Sequence, residues 1–158
     1  MALEIVEARL AQLGLQLPEP PPPVANYVGY VRTGNMVFVS GHGPHQKGGY
    51  HLVGKVDSEV GMSQAREAAR LTMVNCLATL RAEIGSLDRV TRIVKLLGMV
   101  NSDPTFTRQP EVIDGASDLL EEVFGERGKH ARSAVGMGAL PMGIPVEIEM
   151  IVEVSEDT

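Results

Sequence analysis

Apolar residues recur every three or four positions in three segments of the chain, which is the spacing of an amphipathic helix. The longest pattern lies between residues 62 and 84, where the apolar positions are Met62, Ala65, Ala69, Met73, Cys76, Leu77, Leu80 and Ile84. A second pattern runs from Val112 to Phe124 and stops at Gly125, a residue type common directly after a helix. The sequence therefore predicts two long helices in the body of the protein.

The third helical pattern lies at the N-terminus, where Leu3, Val6, Leu10 and Leu13 share the same spacing. It is followed by "LPEPPPPV", a proline-rich segment that favours an extended polyproline conformation over a helix. We therefore expect three parts: an appended amphipathic helix over residues 1–16, a proline-rich strap over 17–23 and a single domain over 24–158.

Strand patterns occupy most of the remaining chain. "YVGYVRTGNMVFVSG" predicts a hairpin around a Gly-Asn turn, and "PHQKGGYHLVGKV" a glycine-rich loop with one more short strand. "TRIVKLLGMVN" is apolar on nearly both faces, "ARSAV" is a short strand, and "IPVEIEMIVEV" alternates apolar and mostly acidic residues. This order of elements predicts an α+β fold, a mixed sheet with both long helices on one face. Oligomerisation would cover the other, partly apolar face.

Composition narrows the function classes. The 158 residues are 44% hydrophobic, which suits one globular domain, and a net charge of −6 with few aromatic residues disfavours nucleic acid and anionic membranes as partners. No apolar run approaches the roughly 20 residues that span a bilayer, and Glu4 and Glu7 stand where a signal peptide needs basic and apolar residues. We expect a cytoplasmic protein without an intrachain disulfide, since Cys76 is the single cysteine.

Arg132 stands between small apolar residues on a predicted strand, where its planar guanidinium could anchor a ligand carboxylate. The alternative is an internal ion pair with a glutamate of the final strand, and spacing alone favours that alternative. Glu147 has two interpretations as well. Its side chain either lies on a solvent-exposed face of the sheet or lies at an interface between subunits. At an interface, desolvation would raise its pKa and allow it to transfer protons.

Three histidines, His42, His45 and His51, lie close together in the sequence and suggest a zinc site. No HExxH motif is present, and no cysteine or acidic residue lies at ligand spacing, so we expect no metal. The role of these histidines stays unassigned at this point.

Several of these segments together resemble the reactive intermediate deaminase family, also called the YjgF or L-PSP endoribonuclease family. They are "NYVGYVRTGNMVFVSGHGP", "HARSAV", a Leu-Pro pair and "VEIEMIVEV", and the likeness covers residues 24–154. "GASDLLEEVFGERGKHARSAVGM" is similar to a divergent branch of that family. The resemblance implies a chorismate-mutase-like α+β fold that assembles as a homotrimer, with ligand clefts between subunits.

The resemblance also implies a site. In active family members the arginine at the position of Arg132 holds the substrate carboxylate, and the glutamate at the position of Glu147 handles protons for an attacking water. Positions matching the substrate-binding residues are Tyr27, Ser40, Gly41, Ser117 and Ala134. Ser117 and Ala134 replace the family's usual asparagine and cysteine, and His42 replaces a glutamine.

The implied reaction is hydrolysis of 2-enamino and 2-imino acids to 2-oxo acids and ammonia, without a metal or an organic cofactor. The alternative is a regulatory homotrimer that binds a small carboxylate metabolite in the same pocket without catalysis. An endoribonuclease, which the family's older name suggests, is disfavoured by the net charge and the lack of a base-stacking surface.

Overall fold

The computed structural model describes residues 5–23 and 25–157. Within these residues the helices are α1 (Ile5–Gln12), α2 (Met62–Ile84) and α3 (Gln109–Phe124). The strands are β1 (Tyr30–Thr33), β2 (Met36–His42), β3 (His45–Gln46), β4 (Gly49–Tyr50), β5 (Val90–Asn101), β6 (Ala131–Met137) and β7 (Val146–Val154). Short 3₁₀ turns precede β5, follow α3 and precede β7.

The main sheet has five strands in the order β1-β2-β7-β5-β6. The pair β5 and β6 is parallel and the other neighbours are antiparallel, so the sheet is mixed, as predicted. Strands β1 and β2 form the predicted hairpin, with Gly34 and Asn35 between them.

The segment predicted as a glycine-rich loop with one more short strand contains two strands of two residues each. Strands β3 and β4 form a separate two-stranded hairpin, and the residues that follow contribute to pairing only through isolated bridges of Val56. The apolar Val53 is 56% exposed whereas Val56 is buried. One buried position is too few to fix a strand against the sheet.

Helices α2 and α3 cover one face of the sheet, which confirms the predicted architecture. On β5, Leu96 and Val100 are fully buried on this face. The two helices approach closely at Gly115, where an added Cβ would lie 2.1 Å from the backbone oxygen of Arg66. Only a glycine permits this contact, so helix packing fixes the position of α3 above β5 and β6.

The opposite face of the sheet is open and carries apolar side chains. Val31 is 55% exposed and Phe38 44% exposed, and a concavity of about 540 Å³ lies between β1, β2, β7, β5 and β6. Leu97 and Ile151, which are partly buried, line the same concavity. This open face agrees with the expectation of oligomerisation, which stays a prediction.

Helix α1 packs against the body of the protein. Val6 and Leu10 are buried in the same core as α2 and α3. The Glu7 carboxylate accepts a hydrogen bond from the Leu87 backbone N–H at 3.1 Å and pairs with Arg81 at 3.2 Å. The division into helix, strap and domain stays a prediction, and its first four residues and Val24 lie outside the described residues.

No helix in the described part of the chain is both long enough and apolar enough to cross a bilayer.

Candidate functional site

A cleft of about 530 Å³ opens beside the first residues of β7. Four of the predicted site residues line it: Tyr27, Ser40, Gly41 and Glu147. Its other walls come from the proline-rich segment 21–23, from the β3–β4 hairpin and from the loop before β7. Residues far apart in sequence therefore meet at one depression in the surface.

Glu147 is a carboxylate inside this cleft. On β7 it pairs in register with Met99, on the open face of the sheet, away from the helices. Burial raises its pKa above the ordinary value, and the nearby negative charge of Glu149 raises it further. No ion pair of Glu147 occurs among residues 5–23 and 25–157.

Gly41 makes room for this carboxylate. A Cβ on Gly41 would lie 2.9 Å from Oε2 of Glu147, which is closer than two such atoms pack. The absence of a side chain at Gly41 therefore lets the Glu147 carboxyl group sit against the backbone of β2.

Ser40 and Tyr27 complete the wall formed by β2 and the segment before β1. The Ser40 hydroxyl donates to the Val28 carbonyl at 2.6 Å, and its backbone N–H donates to the Gly29 carbonyl at 2.9 Å. Tyr27 lies at the cleft and is exposed. Ser40 thus fixes the segment that carries Tyr27.

His42 is held in one tautomer by its two neighbours. Its Nδ1 lies 2.6 Å from the Ser40 carbonyl, which can only accept, so Nε2 accepts a hydrogen bond from the Thr79 hydroxyl at 2.8 Å. Burial lowers the pKa of His42. The imidazole is therefore a neutral structural link between the cleft wall and α2.

The three histidines do not form a metal site in the structure. The His45 ring stacks on Tyr50 with a centroid distance of 4.5 Å, and His51 is exposed. Within the described residues there is no group of three or more histidine, cysteine or acidic side chains that could hold a metal ion.

Arg132 lies on the other side of the sheet from Glu147. Its register with the buried Leu96 turns it toward the helices, where Nη1 donates to Oδ1 of Asp114 at 2.8 Å and to Oγ of Ser117 at 3.1 Å. Both partners belong to α3. All hydrogen bonds of this guanidinium within the described part of the chain use Nη1.

An internal ion pair of Arg132 is present, but the suggested partner is wrong. The final strand was expected to supply a glutamate, whereas the structure supplies Asp114. Strand β5 lies between β6 and β7, so the glutamates of β7 are not neighbours of Arg132. The topology of the sheet, which spacing does not reveal, decides the partner.

A hydrogen-bonded chain extends from Ser117 to the loop before β6. Its hydroxyl accepts from Arg132 and lies 2.9 Å from Nε2 of His130, whose Nδ1 is 2.6 Å from the Gly128 carbonyl. The carbonyl fixes the proton on Nδ1, so Nε2 accepts a hydrogen bond from the Ser117 hydroxyl. These contacts hold the guanidinium in one orientation.

The predicted residues thus form two groups in one chain. Tyr27, Ser40, Gly41 and Glu147 meet at the cleft, whereas Ser117 and Arg132 meet on the helix side of β6. Ala134 is in register with Gly98 and faces the same way as Arg132. A single chain does not bring the two groups together.

Sequence reasoning missed Asp114 and His130. Asp114 precedes Ser117 by one helical turn, so both face the same way on α3, and His130 precedes Arg132 by two positions. This spacing could have indicated the cluster once Ser117 and Arg132 were placed together.

The chain matches a known protein family over most of its length. A family model described as "YjgF/chorismate_mutase-like, putative endoribonuclease" matches residues 7–153. "Protein TCP17" of Trypanosoma cruzi is 42% identical over 151 residues, which cover 95% of this chain and 94% of that protein.

Two solved structures are similar over nearly the whole chain. Atu1372 of Agrobacterium tumefaciens, a protein with unknown function, is 43% identical with a TM-score of 0.87, over 96% of this chain and 92% of that one. A "putative endoribonuclease" of Shewanella oneidensis is 32% identical with a TM-score of 0.91, over 94% and 99%. The family resemblance is confirmed: the chain belongs to the YjgF, or reactive intermediate deaminase, family, and has its chorismate-mutase-like α+β fold.

Proposed function

We propose that this protein hydrolyses reactive 2-enamino and 2-imino acids to 2-oxo acids and ammonia, in clefts between the subunits of a cytoplasmic homotrimer. The observation that carries the proposal is Glu147, a half-buried carboxyl group with a raised pKa in a cleft of about 530 Å³. A carboxyl group whose pKa is shifted toward neutrality can both accept and return a proton at physiological pH.

In the proposed reaction, Glu147 accepts a proton from a water molecule as that water attacks the C=N carbon of the imino acid. Glu147 then gives this proton to the nitrogen of the resulting carbinolamine. As the C–N bond breaks, the hydroxyl oxygen forms the carbonyl group and its proton passes to Glu147, so that ammonia departs and a 2-oxo acid remains. Because the cleft excludes part of the solvent, orientation of the water and of the substrate supplies much of the rate.

Arg132 of a second protomer holds the substrate carboxylate in this proposal. Two observations support a second protomer. Arg132 and Glu147 lie on opposite faces of the sheet, with β5 between their strands, and the open face around Phe38 is apolar and exposed. With Nη1 occupied by Asp114 and Ser117, the Nε and Nη2 edge of the guanidinium is the part offered to a carboxylate in two parallel hydrogen bonds.

The test uses 2-iminobutyrate generated by a dehydratase. We expect the wild-type protein to accelerate its decay to 2-oxobutyrate and Arg132→Ala to lose the acceleration. Arg70→Ala is the matched control, because Arg70 also pairs with a carboxylate of α3, Glu122, at comparable exposure. Equal activity of Arg132→Ala and the wild type would contradict the proposal.

A second candidate is a regulatory trimer that binds a small carboxylate without converting it. Ser117 and Ala134 favour it, since they stand where active family members have an asparagine and a cysteine. In that case 2-oxobutyrate raises the melting temperature of the wild type while imine decay stays at the uncatalysed rate.

An endoribonuclease is the least supported candidate. The charged residues that line the cleft are Glu147 and Glu149, and a phosphate backbone would be repelled by both. Incubation with labelled RNA and a control for trace nuclease tests this activity, and we expect no cleavage.

A further inference from the structure

We propose that Asp114 sets the charge selectivity of the site, so that it accepts a ligand with one carboxylate and rejects a ligand with a second anionic group. The inference rests on the proposed function, because it places Arg132 and the Glu147 cleft in one intersubunit site. It goes further by assigning charge selectivity to Asp114, whose contact with Nη1 otherwise only orients the Arg132 guanidinium.

The first observation is the ion pair itself. Asp114 accepts from Nη1 of Arg132 at 2.8 Å, and the side chains of Arg132 and Asp114 are 22% and 40% exposed. The guanidinium therefore already has a carboxylate partner before a ligand arrives. The remaining edge of the guanidinium can bind one ligand carboxylate. Because Asp114 offsets the positive charge of Arg132, that charge does not attract a second carboxylate.

The second observation is the charge of the cleft. Glu147 and Glu149 are the acidic residues in its wall, and no lysine or arginine lies among the described residues that line it. Lys95 is on the same face of the sheet, but it lines the neighbouring concavity and its ammonium lies 3.4 Å from the Ser133 hydroxyl. Among the described residues of one protomer, the wall of this cleft thus presents carboxylates and no lysine or arginine to a ligand.

These charges favour a particular class of ligand. A protonated imino acid has one carboxylate for Arg132 and a cationic C=N nitrogen for the carboxylates of the cleft. A dicarboxylate has instead a second negative charge that Asp114, Glu147 and Glu149 repel. The ligand class that fits is therefore a small monocarboxylate with a neutral or apolar remainder.

The experiment compares two acids with five carbons each, 2-oxopentanoate and 2-oxoglutarate, which differ in the second carboxylate. Calorimetry gives the dissociation constant of each for the wild type, Asp114→Asn and Asp114→Glu. We expect the wild type to prefer 2-oxopentanoate, Asp114→Asn to reduce this preference by about 5-fold and Asp114→Glu to restore it.

Glu122→Gln is the matched control. Glu122 lies on the same helix about two turns beyond Asp114 and is similarly exposed, and its substitution makes the same change in net charge, but its partner is Arg70. We expect the ratio of the two dissociation constants to stay at the wild-type value. If Asp114 had a purely structural role, Asp114→Asn would weaken the binding of both acids equally, and the ratio of the two dissociation constants would stay unchanged.

The outcomes separate this inference from the proposed function. If 2-oxopentanoate binds through Arg132 but Asp114→Asn leaves the ratio unchanged, or if the wild type prefers 2-oxoglutarate, the inference alone is overturned. If the wild type binds neither acid and Arg132→Ala changes nothing, the proposed function fails and the inference fails with it.

Discussion

The carboxyl group of Glu147 and the guanidinium of Arg132 have opposite environments: the first has no ion-pair partner among the described residues, and the second has one. Arg132 has a carboxylate and a hydroxyl partner within 3.1 Å, and both partners belong to a packed helix. Burial raises the pKa of Glu147, and the negative charge of Glu149 raises it further. One group is held in place, and the other is left able to exchange a proton.

In the proposed reaction, this difference gives the two residues separate tasks. A group that orients a ligand works best when its own rotamer is fixed by its neighbours, as Asp114 and Ser117 fix Arg132. A group that transfers a proton needs an accessible carboxyl oxygen and a pKa shifted toward the working pH. The substitutions below test each half of this comparison, from the largest expected effect to the smallest.

Glu147→Gln has the largest expected effect. Glutamine keeps the shape of the side chain but cannot accept the proton of the attacking water, so we expect imine hydrolysis to fall by about 10²- to 10⁴-fold. The affinity for 2-oxobutyrate should persist, because Arg132 is unchanged. Glu153→Gln is the control, since Glu153 lies on the same strand and face but bonds to Asn35 and Thr91. Full activity of Glu147→Gln would remove the proposed proton transfer.

Gly41→Ala tests the position of the Glu147 carboxyl group. The new methyl group would lie 2.9 Å from Oε2, so the carboxyl end must move away. We expect activity to fall by roughly 10- to 100-fold, while the free energy of unfolding changes by less than about 1 kcal/mol, because only a flexible side-chain end is displaced.

Gly138→Ala is the matched control for that substitution, since a Cβ there meets no atom within 4 Å. Unfolding curves and imine decay are measured for both variants. An active Gly41→Ala protein of normal stability would mean that the exact place of the carboxyl group is unimportant.

The fold was predictable because its signals are local. The apolar spacing of α2 and the stop at Gly125 after α3 are properties of adjacent turns, and the alternation of β7 is a property of one strand. The hairpin β3–β4 was missed because its strands have two residues each, too few for a period.

The candidate site was predictable only in part. The residue pattern indicated Arg132 and Glu147, and the family resemblance gave them roles. The pairing of Arg132 with Asp114, however, depends on which strand borders β6 and how α3 crosses it. The raised pKa of Glu147 depends on its burial, and its carboxyl group lies beside the backbone of Gly41 on β2. Residue spacing along the chain does not predict such contacts between distant segments.

Ser117→Ala has a smaller expected effect. It removes one of two acceptors of Nη1 and breaks the link to His130, but the Asp114 ion pair remains. One neutral hydrogen bond contributes about 1 kcal/mol, so we expect the affinity for 2-oxobutyrate to fall by about 3- to 5-fold. Ser133→Ala, next along β6 but facing the opposite way, should retain the wild-type affinity. A larger loss in Ser133→Ala than in Ser117→Ala would contradict the proposed orienting role.

The smallest expected effect is on stability, and it has a definite sign. Because the pKa of Glu147 is raised above its ordinary value of 4.5, the folded protein binds this proton more readily than the unfolded chain. Ionised Glu147 therefore destabilises the fold, and this cost grows as the pH rises from the ordinary glutamate range through the raised pKa. Glu147→Gln removes the cost, so we expect its melting temperature at pH 7 to exceed that of the wild type by about 1–2 °C.

The pH dependence separates this effect from a general change in packing. Below the ordinary pKa of glutamate, Glu147 is protonated in both the folded and the unfolded chain, so the advantage of Glu147→Gln should vanish there. Melting curves of both proteins between pH 4 and pH 8, recorded by circular dichroism at one protein concentration, measure the difference. An advantage that is constant with pH would come from packing, whereas a variant less stable than the wild type at pH 7 would show that the Glu147 carboxylate has a stabilising partner. In that second case the contrast with Arg132 would disappear, since both charged groups would then have a stabilising partner within the protein.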